Sequence, residues 1–354
     1  MRQRRAASSA RAQDQSQASA QSAQAPALQS GPAAPVQGDQ TPMLDAVDGA
    51  LGAMAADDIA DVLARSARGE DVPPDELTSA QLGVDSLDDD GIARVLDRLR
   101  AQGLLDAVVD EGVLADDHVD DLLDRTDAIV PIAILVTKGV SPSIVDRQIA
   151  FAERVFSRQG MQVSVVVRER LSDEVSAQIL GREGEDSEMD YTLAPNRDDP
   201  HEAAEVRTPP GQEPEALLAE AWRLNGDATV SHVVFVGQFG GAGEGIDFDS
   251  DVYDTAHPGV IVREGANAST LAHELGHHLG LEHTEHEEGM DPNDTGNLMY
   301  FQSGARHDGF TAGQAATIRR SLRVQLVPRG TVDRSQPLYR DYPTENGLVE
   351  RMDQ

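Results

Sequence analysis

Residues 273–283 read His273-Glu274-Leu275-Gly276-His277-His278-Leu279-Gly280-Leu281-Glu282-His283. On a helix, His273 and His277 are four residues apart and leave the same face. Two imidazole nitrogens so placed can reach one metal at the ~2.0–2.1 Å that zinc prefers. Glu274 stands next to them, placed to take a proton from water. Gly280 can turn the chain sharply, because glycine adopts positive φ at no steric cost. That turn returns His283 as a third ligand. Three protein ligands leave a fourth position for water, which separates a catalytic zinc site from a structural one. Leu271, Leu275 and Leu279 form a stripe that a plain core helix would also show, but such a helix has no use for three histidines and a carboxylate.

Downstream, Gly296-Asn297-Leu298-Met299-Tyr300 follows at short distance. With this second element the chain resembles the metzincin superfamily of zinc endopeptidases, whose signature is the long histidine motif followed by a methionine turn. The resemblance spans roughly residues 128–326. It implies an α+β domain in which a twisted mixed sheet packs on helices. It further implies one catalytic Zn2+ held by His273, His277 and His283, Glu274 as general base, and Met299 as an apolar floor beneath the histidines. It also implies a protein or peptide substrate paired with an edge strand between residues 239 and 263, and a cleft walled by residues just past the turn, Tyr300 and Phe301 among them. Thr284 after the third histidine is similar to the pappalysin-type group, yet the chain has no cysteine, and the family within the superfamily stays open. The residues leave two other functional readings beside the peptidase: an exported protease effector, and a catalytically silent fold that binds without cleaving.

Hydrophobic patterning orders the same stretch. Residues 127–137 form a continuous β-rich apolar run, the mark of a buried strand. A helix is expected over 142–159 and an alternating strand over 161–168. A helix over 213–224, a strand over 231–238 and a short strand over 260–263 precede the histidine helix. A closing helix is expected over 310–323, capped by Thr311, with Ala315, Ile318 and Leu322 on its buried face. Residues 172–212 are polar and carry four prolines, which reads as a surface insertion. His278 lies about 100° round the helix from His277 and should not share the metal. His286 reads as part of a solvated turn, and His118, His201, His232, His257 and His307 are isolated. Asp291, Asn293 and Asp294 offer oxygen donors of the kind Ca2+ takes, though a plain polar turn explains them equally and is preferred.

The rest of the chain divides by composition. Residues 1–42 are rich in Ala, Gln, Ser and Pro and should be disordered. They lack the apolar segment of an ordinary signal peptide. Their composition is similar to leaders of cargo loaded into contractile injection systems. That likeness implies export or injection machinery as a partner and an exported rather than cytoplasmic location, while an ordinary solvated tail explains the same composition and is preferred. Residues 43–126 hold 22 Asp and Glu against 6 Arg, about half of the chain's net charge of −33. Ile92, Val95, Leu96 and Leu99 recur at helical spacing and Gly103 would end that helix. This region reads as a small acidic helical module, either a propeptide over the cleft or a docking element. Residues 127–328 are the peptidase-like domain and 329–354 a tail. The negative charge argues against nucleic acid as a partner. No apolar run reaches 18 residues, so no membrane-spanning helix is expected.

Overall fold

The apolar run at Thr126–Val136 is the central strand, β1, of a six-stranded mixed sheet. The computed structural model describes residues 54–180, 188–189, 212–239, 245–248, 255–286, 289–291, 293–300, 309–332, 342–343 and 349–350. Residues 1–42 therefore lie outside the described residues, as do His201, Phe301 and His307. Among the described residues no helix is long and apolar enough to cross a membrane.

Ahead of β1, among the described residues, come five helices, α1 (Ala56–Ala67), α2 (Pro74–Ser86), α3 (Asp89–Ala101), α4 (Leu105–Asp110) and α5 (Asp116–Leu123). After it follow α6 (Pro142–Arg158), β2 (Met161–Arg170), α7 (Asp173–Leu180), α8 (Gln212–Leu224), β3 (Ser231–Val236), β4 (Gly245–Phe248), β5 (Gly259–Arg263), α9 (Thr270–His278), α10 (Ala312–Arg320) and β6 (Gln325–Pro328). The sheet order is β2-β1-β3-β5-β4, with β6 paired to the start of β1. β2, β1, β3 and β5 are mutually parallel, while β4 and β6 run antiparallel to their neighbours. Pro131 sits within β1 where one neighbour has ended and another has not begun. Pairing with β6 stops at Ile129 and pairing with β3 starts at Ile132. A proline in a central strand is tolerated at such an interruption.

Both faces of the sheet are covered, which explains the unbroken apolar runs. Alternate residues of β3 and β5 divide between two cores. Val233, Phe235, Val260 and Val262 join the core shared with α6, α9 and α10. Val234, Val236 and Ile261 join Leu217, Leu218 and Ala221 of α8 on the other face.

The amino-terminal helices belong to the first of these cores. Ile59, Leu63, Ile92, Leu96, Leu99 and Leu123 lie in one continuous cluster with Ile132, Phe156, Leu275 and Met299. Polar contacts fasten the same helices to the end of the chain. Arg320 bonds Asp116 at 2.7 Å and Asp120 at 2.6 Å. Asp97 accepts the backbone N–H of Leu326 at 2.9 Å, and the nearly buried Arg100 donates to the carbonyl of Leu322. The helix expected around Ile92 is α3, ended by Gly103 at φ +67°. Asp127, fully buried, accepts the N–H groups of Gly330 and Val332 at 2.8 and 2.9 Å. The first residues of the tail are thus held to β1.

Two expectations need correction. The stretch taken as an insertion from 172 begins with helix α7, whose Ser172 hydroxyl accepts the N–H of Val175 at 3.2 Å. Leu171 and Leu180 are buried and Val175 and Ile179 pack against the same core, so the helix has ordinary amphipathic spacing that the polar, proline-bearing stretch beyond it outweighed in the sequence. The closing helix is shorter than expected. Ser321 turns to an extended conformation (ψ 139°), so Leu322 falls past the helix end and is 48 % exposed.

Candidate metal centre

The histidine helix α9 is set in place at both ends by groups outside it. At its start Ser269 makes no side-chain cap. Instead Gln148 of α6, fully buried, accepts the N–H of Leu271 at 2.9 Å and donates to the carbonyl of Asn267 at 2.6 Å. One of the unpaired donors of the first turn is satisfied in this way. At its end Gly280 has φ +102°. Its N–H bonds the carbonyl of His277 and the N–H of Leu281 bonds that of Gly276, both at 2.9 Å. This pair of bonds is a Schellman turn, which requires the left-handed conformation that glycine takes freely.

Beyond that turn His283 returns to the helix. Its Nε2 lies 3.2 Å from Nε2 of His273 and 3.1 Å from Nε2 of His277, and the two helical nitrogens are 3.2 Å apart. The three half-buried imidazoles could hold a metal ion. The spacing fits one: ligands at ~2.0–2.1 Å in tetrahedral geometry stand about 3.3 Å from one another. The tautomers agree. His273 Nδ1 bonds the carbonyl of Leu298 at 2.6 Å and His277 Nδ1 bonds that of Leu281 at 2.9 Å. A carbonyl only accepts, so both Nδ1 atoms carry a proton, and in the neutral form each of these rings has its lone pair at Nε2. Lone pairs at such a distance repel unless a cation lies between them.

Glu274, on the turn between the two helical ligands, is buried. β4 packs directly on it. A β-carbon at Gly245 would stand 2.7 Å from Glu274 Cγ and 2.9 Å from its Oε1. β4 is the terminal strand of the sheet on this side.

The methionine turn meets the helix from the other side. Met299 is fully buried, and its sulfur lies 2.5 Å from where a β-carbon on Gly276 would be. Its carbonyl accepts the N–H of Thr284, and its own N–H is taken by Asn297 Oδ1 at 2.8 Å. Asn297 Nδ2 in turn donates to Gln314 Oε1 at 2.9 Å. Gln314 is the reciprocal residue of the capping box that Thr311 forms at the start of α10. Tyr300 is half-buried just past the turn. Asp291, Asn293 and Asp294 are exposed, with Asp291 and Asp294 each capping a backbone N–H two residues on, as in a plain polar turn.

His278 is far from a spectator. It is buried, and its Nδ1 lies 2.7 Å from Asp247 Oδ1 on β4. His257 pairs with Glu215 at 2.6 Å. His232 stacks on Trp222 at 4.5 Å, and burial holds its pKa below the usual histidine range.

Gln148, Gly245, Asp247, Gly276 and Gln314 all support this centre, and the sequence reading singled out none of them for it. Gln314 carried the one local signal, as the third residue after the cap Thr311. The others act across long separations in the chain. No protein-family model matches this chain, and a search of the curated proteins found no relative.

Proposed function

We propose that the chain is a zinc endopeptidase of metzincin type. The observation that carries this reading is the triangle of Nε2 atoms, with two of the three tautomers preset by backbone carbonyls and a buried carboxylate between the helical pair. Imidazole donors in a closed triangle suit zinc rather than a hard cation such as calcium. Zinc held there supplies Lewis acidity toward a peptide carbonyl and toward water.

The chain's own residues supply the rest. Glu274 takes the proton of the attacking water and returns it to the leaving amine, work that typically contributes 10²–10⁴-fold. Its burial under β4 keeps the carboxylate in one orientation. β4, the terminal strand beside it, is where an extended substrate would pair by backbone hydrogen bonds. Leu298 holds His273 through its carbonyl, and Met299 packs against the helix at Gly276. Tyr300, half-buried just past the turn, is the residue we assign to the cleft wall. The acidic helices share one hydrophobic core with the sheet, which is compatible with either a propeptide or a docking module.

The test compares the full chain with Glu274→Ala on unfolded casein and a mixed peptide library, with zinc measured in each. Cleavage by the wild type, lost in the variant at about one retained zinc per chain, is the expected result. Retained zinc with no cleavage by the wild type would overturn the peptidase reading and leave a metal-stabilised binding module.

A further inference from the structure

Directly after the third histidine the chain runs Thr284-Glu285-His286. The turn is closed by a bond from the His286 N–H to the carbonyl of His283 at 2.9 Å. Its base is anchored, because Thr284 is buried and bonded to Met299. In this turn His286 Nε2 stands 3.3 Å from Glu285 Oε1. The ligand atoms of His283, Glu285 and His286 all lie within 4.8 Å of one another. The His283 and His286 rings are 6.4 Å apart and tilted by 35°.

We propose that Glu285 and His286 form a second, weaker transition-metal site on the rim of the first, with His283 at the junction of the two. The chemistry follows from the donors. One imidazole nitrogen and one carboxylate oxygen about 3.3 Å apart match the bite of a single zinc-sized ion bonded at ~2.0–2.2 Å. An imidazole in the set favours Zn2+ or Co2+ over Ca2+ or Mg2+. His283 is already committed to the helical pair, so this rim site owns two protein ligands against three, and water completes it. Its affinity is correspondingly lower. An ion bound there adds positive charge within a few ångströms of His283 and so beside the primary centre. Metal in excess of one equivalent should therefore suppress whatever chemistry the primary centre performs. The alternative use of the same pair, an ordinary His–Glu ion pair, would bind no metal.

The proposal rests on the three-histidine centre holding a metal and not on peptidase activity. Metal-free full-length protein is titrated with Co2+, following its visible absorption, and bound Zn2+ is counted by equilibrium dialysis at pH 7.5. The wild type should take up two ions per chain, the second about tenfold or more weaker. The Glu285→Gln/His286→Asn variant should keep the tight ion and lose the second, with an unchanged circular dichroism spectrum. If catalysis is found, excess zinc should inhibit the wild type and spare the variant. Saturation of the wild type at one ion would overturn the proposal. So would a second ion that persists in the double variant, since the acidic surface would then be its source.

Discussion

Met299 occupies the space that any side chain at position 276 would need. Its sulfur is 2.5 Å from the ideal β-carbon position on Gly276 and its methyl carbon 3.2 Å away. The methionine turn can approach the histidine helix this closely only because Gly276 has no side chain.

Gly276→Ala should therefore push the turn away from the helix. Overpacking of this kind costs about 1–3 kcal/mol. Because Leu298 holds the His273 ring through its carbonyl, metal affinity should fall with stability. Urea unfolding and competitive metal titration would measure both. Met299→Ala removes the obstacle while leaving a cavity, so the double variant should lose less than the two singles together. Strict additivity would show that the two residues do not press on each other.

Asn297 and Gln314 provide a test with almost no change of shape. Gln314 Oε1 accepts from both Asn297 Nδ2 and the Thr311 N–H, so its acceptor role is set. Asn297→Asp keeps the acceptor toward Met299 but places a carboxylate oxygen against that acceptor. The variant should be destabilised by about 1–3 kcal/mol, or more because a charge is involved. Thermal melts of Asn297→Asp alone and combined with Gln314→Glu would both show the loss. A wild-type melting temperature for Asn297→Asp would remove the network from the account.

Asp247 and His278 join the terminal strand to the histidine helix, with side chains 8 % and 0 % exposed. Asp247→Ala would remove the carboxylate that bonds a buried imidazole, at a cost of about 1–3 kcal/mol. Hydrogen exchange should then rise locally in β4 and α9, with Asp247→Asn restoring part of the protection. Uniform acceleration across the whole sheet would assign the pair a global rather than a local role.

Burial lowers the pKa of His232 below the usual histidine value. Above about pH 6.5 the residue is neutral in both folded and unfolded chains, and it contributes no pH dependence. Below that value the unfolded chain binds a proton that the folded chain resists. Stability should fall as pH drops from 6.5 toward the depressed folded pKa, at up to about 1.4 kcal/mol per pH unit for this proton. Denaturant unfolding between pH 7.5 and 5 should show a shallower slope in His232→Gln than in the wild type. Equal slopes would place the acid sensitivity elsewhere.

Metal removal should loosen the same region. An ion bound only by the folded chain stabilises it by about 2.7 kcal/mol at a hundred times its dissociation constant. Chelation should lower the melting temperature, with recovery on adding back zinc. His273→Ala should melt like the chelated wild type and gain nothing from zinc at one equivalent.

Much of the sheet was legible in the chain itself. A strand buried on both faces needs an unbroken apolar run, so residues 127–137 could hardly be anything else. Helix α6 and strand β2 declared themselves by the period of their apolar positions. Thr311 and Gln314 wrote the start of α10 in a capping box, whereas its end was misread because Leu322 continued the helical spacing past the turn at Ser321. Helix α7 escaped although Leu171, Val175 and Ile179 recur four apart, because the polar, proline-bearing stretch beyond it set the reading of the whole segment.

The histidine motif was local for the same reason. Residues four apart on a helix share a face, and a glycine three residues on can reverse the chain, so spacing alone brings the three imidazoles within reach of one another. What spacing could not give is everything that holds them there. Gln148 caps the helix from 123 residues away. Leu298 sets the His273 tautomer across a gap of 25 residues, and Asp247 reaches His278 across 31. Hydrogen bonds and close packing act over a few ångströms in space and leave no period in the chain, so these partners exist only once the sheet, α6 and α10 have brought their backbones together.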